Sequence, residues 1–176
     1  MNSQELTKQV NNAIKKWSNG VNKLVIAIDG YTGIGKTTLL DNLIAINSDI
    51  VAVNHDDFLL PRVTVKKLLN KSADRSIIFE LQNTDNKKLE DLVTAFRNNQ
   101  KIYRTQVFDP ISGLVNLPKE FDISKKVIIV EGVFMFHPKL INHLWDRRIY
   151  LEGNITKIDK RRVRREKEKW GKDYFP

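Results

Sequence analysis

The chain has 176 residues, 41% of them hydrophobic, and its 30 Lys and Arg against 21 Asp and Glu give a formal net charge of +9. That length suffices for one domain with a sizeable core and hardly for two. There is no cysteine, which excludes a disulfide framework and a thiolate metal site. No apolar run approaches the length of a bilayer crossing and the N-terminus lacks the apolar core of a secretory signal, so a cytoplasmic protein with no membrane partner is expected.

Taken in order, residues 3–17 carry Leu6, Val10, Ala13, Ile14 and Trp17 at spacings of three and four, which predicts an amphipathic N-terminal helix within residues 1–20, ended by Asn19-Gly20. Leu24 to Ile28 is a short continuous apolar run and reads as a buried strand, followed after a glycine-rich turn by a helix from Lys36 to about Ile46. Asp49 to Asn54 reads as a second buried strand running into His55-Asp56-Asp57-Phe58. Strand, helix and strand in this order form a βαβ unit, so a parallel sheet is expected. Between Arg62 and Asn83 a helix is favoured only over Val65 to Lys71. Thr84 is placed to cap a helix reaching about Asn98, with Leu89, Leu92, Val93 and Phe96 on one face. Lys101 to Phe108 and Gly113 to Leu117, separated by Asp109-Pro110-Ile111-Ser112, predict a hairpin. Lys126 to Val130 is a third buried strand ending at Glu131-Gly132, Phe134 to Leu144 reads as short helix and loop, and Arg147 to Leu151 is a fourth strand. From Ile155 the chain is a strongly charged helix.

The turn after the first strand, Gly30-Tyr31-Thr32-Gly33-Ile34-Gly35-Lys36-Thr37, matches G-x-x-x-x-G-K-[ST] at every required position. The bare pattern arises by accident in roughly one chain of this length in a hundred, and the strand before it and helix after it lower those odds. Such a turn aims backbone N–H groups into a concavity that takes phosphate oxygens, with the positive end of the helix dipole behind. The residues expected to hold a nucleotide are Gly30, Thr32, Gly33, Ile34, Gly35, Lys36, Thr37 and Thr38. Lys36 would reach the β- and γ-phosphates and the Thr37 hydroxyl would ligate Mg²⁺.

In an open parallel sheet, ligands bind at the carboxyl ends of the strands. Three of the four strands end usefully here: in the phosphate loop, in Asp56-Asp57, and in Glu131. A carboxylate at the end of the second strand can orient a hydroxyl and take its proton, and one at the end of the third can complete a Mg²⁺ shell begun by Thr37. Adjacent carboxylates repel when both face one site, so one of Asp56 and Asp57 is expected to point inward. Between Lys157 and Lys172 nine Lys or Arg face three acids, a local +6 that leaves +3 for the rest of the chain. That concentration fits a solvated helix face, a nucleic-acid patch or a cationic lid over transferring phosphates. The lid suits the phosphate loop best and argues against nucleic acid as the partner. Arginine forks hold two phosphate oxygens at once, and Arg161, Arg162, Arg164 and Arg165 fall within two turns, too closely spaced for all four to face one ligand. His55, His137 and His143 are scattered, with no metal-binding pair among them.

With these pieces in order, the chain resembles the uridine kinase, phosphoribulokinase and nicotinamide riboside kinase group of P-loop kinases. The stretches that carry the resemblance are IAIDGYTGIGKTTLLDNL, VNHDDFLLPR, VIIVEGVFMF and DRRIYLEGNITKIDKRRVRREKEKWGKD, spanning residues 26–173. It implies an α/β three-layer P-loop NTPase fold over residues 1–176 as a single kinase domain, with sheet order 2-3-1-4, an extra N-terminal helix and a helical lid over residues 154–173. It implies transfer of the γ-phosphate of ATP, with Mg²⁺, to a hydroxyl of a small metabolite such as uridine or a related riboside. Pantothenate or nicotinamide riboside as acceptor, or a nucleotide-binding module without catalysis, are the alternatives. By the family's motifs Asp56 is the base, Glu131 helps hold Mg²⁺, and Arg162 and Arg165 join Lys36 as catalytic contacts to phosphate. Asp57, Phe58 and Arg104 are candidates on the acceptor side. Leu59 stands where the family has a tyrosine, Trp170 and Lys172 where it has later lid arginines, and Glu80 or Asp85 comes nearest its substrate-side Asp. The family continues past the lid into a further strand, whereas this chain stops at Pro176, so that strand is expected to be absent. Assembly into a homo-oligomer is left open.

Overall fold

The first strand shows why the sheet is buried on both sides. In the computed structural model, which describes residues 2–170 apart from the side chains at positions 165, 166, 169 and 170, all seven residues of β1 (Leu24–Gly30) are buried. Side chains alternate across a strand, so an unbroken apolar run supplies two faces at once. Val25 and Ala27 pack with Val51, Val53, Ile128 and Val130 under Leu89, Leu92, Val93 and Phe96. Leu24, Ile26 and Ile28 pack with Ile50, Val127 and Ile129 against Leu39, Leu40, Leu43 and Ile14.

Three layers follow. The central sheet holds β1, β2 (Ile50–Asn54), β5 (Val127–Glu131) and β6 (Arg147–Leu151) in the spatial order β2-β5-β1-β6, every neighbour parallel. Counting only these four strands, this is the expected order 2-3-1-4. One face is covered by α1 (Ser3–Ser18) and α2 (Lys36–Ile46), the other chiefly by α5 (Asn86–Arg97). Among the described residues no helix is long and apolar enough to cross a membrane.

The remaining elements sit at the carboxyl end of the sheet or beside it. A 3₁₀ turn, His55–Phe58, continues directly from β2. Next come α3 (Arg62–Lys71), the short α4 (Arg75–Ile77) running into a π turn at Ile78–Gln82, and α5. A separate antiparallel hairpin is made by β3 (Ile102–Phe108) and β4 (Val115–Asp122). After β5 and β6 the chain enters α6 (Ile155–Trp170).

Three boundaries differ from expectation. Asp85, and not Thr84, caps α5, its carboxylate accepting the Lys88 N–H at 3.0 Å. Thr84 instead pairs through its backbone with Leu59. The helix α3 starts at Arg62 immediately after Pro61, earlier than Val65, since a proline set at φ −52° leads readily into a helix. The second hairpin arm runs on to Asp122 through Pro118, because both strands of a two-stranded ribbon are edges and tolerate a missing N–H.

Candidate active site

The phosphate loop joins β1 to α2. Gly30 sits at φ +150°, and a Cβ there would lie 2.6 Å from the Leu151 carbonyl oxygen of the neighbouring strand, so only glycine lets the loop leave the sheet this close to β6. Gly35 occupies the N-cap of α2 in the left-handed region, at φ +113°. The next residue, Lys36, is 7% exposed. Its Nζ donates to the carbonyls of Gly30 at 2.8 Å and Tyr31 at 3.2 Å. Burial lowers its pKa below the ordinary lysine value, with the charges of Glu131, Asp29 and Asp56 acting the other way.

One helix position further, the Thr37 hydroxyl donates to Glu131 Oε1 at 2.7 Å. Glu131 ends β5 and is 4% exposed. Burial raises its pKa above the usual carboxylate range, against the Thr37 hydrogen bond and the Lys36 charge. Register sets Glu131 beside both neighbours, opposite Asn54 of β2 and Ile28 of β1. Thr37 and Glu131 offer the hard oxygen donors that Mg²⁺ takes, and Mg²⁺ draws the rest of its shell from phosphates and water. Among the described residues no group of three or more His, Asp or Glu gathers for a metal.

The two adjacent aspartates part company. Asp56 lines a cleft of about 580 Å³ together with Asn54, Glu131 and the phosphate loop. Its N–H is held by the Asn54 side chain at 2.9 Å. Asp57 accepts from Lys119 Nζ of β4 at 2.6 Å and is not on that wall. From the loop and α2, Thr32, Gly33, Gly35, Lys36, Thr37 and Thr38 face the cleft, and from α6 Arg161, Arg162 and Arg164 do. Four parts of the chain thus meet at the cleft: the loop with α2 brings Lys36 and backbone donors, the turn after β2 brings Asp56, the end of β5 brings Glu131, and α6 brings the three arginines with Glu168. The Arg165 side chain lies outside the described residues.

Other expected site residues fall elsewhere. Gly30 contributes its carbonyl to Lys36 and does not line the cleft. Ile34 packs behind the loop toward Gly153. Phe58 is 1% exposed and stacks on Phe121 with ring centres 6.4 Å apart, so it is a core residue with no face for an acceptor. Arg104 pairs on the exposed hairpin with Glu120 at 2.7 Å, away from the cleft.

Two contributors were not anticipated. Asp29 is 7% exposed, its Oδ1 accepting the Gly30 N–H at 2.6 Å and its Oδ2 the Phe136 N–H at 3.3 Å. It braces the first peptide of the loop against the segment that follows β5, and the available signal was a carboxylate closing an apolar strand. Gly132 is the second: a Cβ there would lie 2.6 Å from His55 Cβ and 2.7 Å from Met135 Sδ, so the chain after Glu131 passes closely over the turn that carries Asp56.

Comparison with known proteins places this geometry. The sequence profile described as the phosphoribulokinase / uridine kinase family matches residues 25–175. The chain belongs to that family. Uridine kinase of Chlamydia pneumoniae is 31% identical over 146 residues, 81% of this chain and 62% of that protein. Uridine-cytidine kinase C of Dictyostelium discoideum is 24% identical over 145 residues, 81% of this chain and 30% of the relative. The chain therefore spans less than two thirds of the length of either. A solved structure of a possible uridine kinase from Bacillus stearothermophilus matches with a TM-score of 0.74 at 18% identity, over 90% of this chain and 85% of that one. At that identity the likeness shows a shared fold.

Proposed function

We propose that residues 1–176 form a single kinase domain that moves the γ-phosphoryl group of ATP to a hydroxyl of a small metabolite, uridine or a related riboside. One observation carries the reading: Asp56 and Glu131, at the ends of adjacent strands, open onto the same cleft as Lys36, beneath the arginines of α6. The relatives' names support a riboside as the acceptor.

Phosphoryl transfer asks for positioning and for neutralisation of charge on the transferred group. Backbone N–H groups of the loop and Lys36 would hold the donor phosphates, Lys36 giving up its two carbonyl partners to do so. Asp56 would orient the acceptor hydroxyl and take its proton as the new oxygen–phosphorus bond forms and the bond to the β-phosphate oxygen breaks, releasing ADP. Thr37 and Glu131 would hold Mg²⁺, which when bound neutralises phosphate oxygens. Arg162, with Arg161 and Arg164 on the same wall, would close over the charge spread across the transferred group.

The test is ADP release from Mg²⁺-ATP with uridine, cytidine, nicotinamide riboside and pantothenate offered in turn. Transfer to uridine or another riboside is expected. Asp56→Ala should lower turnover about a hundred- to ten-thousandfold while ATP affinity stays within about threefold. Undiminished turnover in that variant removes Asp56 from its role. ATP binding with no transfer to any of the four identifies a nucleotide-binding module instead.

A further inference from the structure

The first variable position of the phosphate loop is occupied by a tyrosine whose two ends touch different machinery. The Tyr31 carbonyl accepts from Lys36 Nζ at 3.2 Å. The Tyr31 hydroxyl donates to Asp159 Oδ1 on α6 at 3.1 Å. The same carboxylate oxygen lies 3.4 Å from Nε of Arg162, one turn further along α6. Loop and helix also touch directly: a Cβ on Gly33 would sit 3.6 Å from both Arg162 Cβ and Ile158 Cγ2, and Ile158 is 2% exposed. Arg162 Nε is itself buried and closes no hydrogen bond, so the Asp159 charge is its compensation at that end. By contrast Arg164 Nε lies 3.8 Å from Glu168, with both side chains exposed.

We propose that Tyr31 and Asp159 are positioning residues that aim Arg162 at the phosphates. This rests on the reading of the cleft as a triphosphate site. A guanidinium carries five donors in a rigid fork. A carboxylate against its Nε edge leaves the Nη end free to face the cleft and fixes a side chain that would otherwise lose much rotamer freedom on binding. Asp159 is 37% exposed and would wander into water without a second partner. The tyrosine hydroxyl is that partner, and it ties the acid to the loop whose carbonyl also holds the catalytic lysine. Tyr31 acts through Asp159 and Arg162 and touches no reacting atom.

The experiment is a double-mutant cycle on nucleotide affinity, read by calorimetry with Mg²⁺-ATP and Mg²⁺-ADP on wild type, Tyr31→Phe, Arg162→Ala and the double variant, with thermal melts to show that each is folded. Tyr31→Phe should weaken ATP about fivefold and ADP less than about twofold, since a γ-phosphate contact discriminates the two. Arg162→Ala should weaken ATP about tenfold, and adding Tyr31→Phe to it should cost nothing more. Asp159→Asn, which can still accept from Tyr31 but has no charge for Nε, should behave like Tyr31→Phe. Equal losses for ATP and ADP, no loss, or additive losses in the double variant overturn the proposal. Wild type that binds ATP but phosphorylates no riboside refutes the acceptor assignment alone and leaves the cycle readable, while wild type that binds no ATP overturns both.

Discussion

At the scale of single residues, the fold takes titratable side chains out of water around the cleft, Lys36 at 7% and Glu131 at 4% exposure. His55 shows the cost most cleanly. It is 7% exposed beside Asp56, and its Nε2 is buried without a hydrogen bond. Burial holds its pKa below the ordinary 6.5, while Asn86, which closes no hydrogen bond to Nε2, and the charges of Asp56 and Asp29 favour the protonated ring. A histidine depressed in the folded state is protonated more readily in the unfolded chain. Its neutral form therefore supports folding fully above pH 6.5, and that support is lost as pH falls below it toward the depressed value. His55→Phe keeps a flat ring over Gly132 and cannot titrate. The difference in melting temperature between wild type and His55→Phe should accordingly move against wild type as pH drops from about 7 to about 5, read by calorimetry. A difference constant over that range would show the ring is not held neutral. Lys36, Thr37, Asp56 and Glu131 are legible in the sequence because a motif or a strand end singles each of them out. Asp29 was not, because a carboxylate finishing an apolar run can equally be the first residue of a solvated turn, and only the Phe136 N–H arriving from 107 positions away makes it structural.

At the scale of elements, the hairpin is the least self-sufficient part of the fold, and its fastenings are long-range. Two strands with open edges are marginal alone. Here β4 is held by the Lys119–Asp57 pair at 2.6 Å and by Phe121 stacked on Phe58. The hairpin turn is held by the Arg62 guanidinium donating to the Pro110 and Ile111 carbonyls, with the Arg62 N–H on the Gly113 carbonyl at 2.9 Å. None of these partners is near in sequence, so the sequence by itself ends the second arm at Leu117 and offers Asp57 and Phe58 as acceptor contacts. Their neighbour Asp56 is one step along the same 3₁₀ turn, so the hairpin buttresses the turn that aims it. Lys119→Met keeps a side chain of similar length and removes the ammonium, which faces Asp57 and stands 5.1 Å from the centre of the Phe121 ring. It should raise hydrogen-exchange rates about three- to tenfold across residues 102–122 and leave β1 and β5 unchanged, because Asp57 at 17% exposure is sheltered enough for its partner to count. Exchange unaltered in the hairpin would show that the aromatic stack and Arg62 suffice.

At the scale of the whole molecule, the carboxyl ends of the strands bring carboxylates to a cleft that α6 lines with arginines. The order β2-β5-β1-β6 was legible only through the family resemblance, because β1 and β2, although joined through α2, are not neighbours: β5 lies between them and pairs with both. The placing of α6 over the loop was not legible from periodicity, since its charge run fits a solvated face equally well; the contact of Ile158 and Arg162 with Gly33 decides it. Three arginines of α6, Arg161, Arg162 and Arg164, therefore stand on one wall of the cleft. Without an anion these cations repel one another, and Lys36 donates to the Gly30 and Tyr31 carbonyls. A ligand bound only to the folded state at a hundred times its Kd adds about 2.7 kcal/mol of stability, which for a domain of this size is about 5–10 °C in melting temperature. Mg²⁺-ATP at that concentration should give such a shift, adenosine almost none, and Lys36→Met should abolish most of it. Raising salt from about 0.05 to 0.5 M should shrink the ATP shift as the arginines of α6 are screened. A shift of equal size from adenosine would mean that the base and ribose dominate binding, and the phosphate loop would lose its place as the anchor of the site.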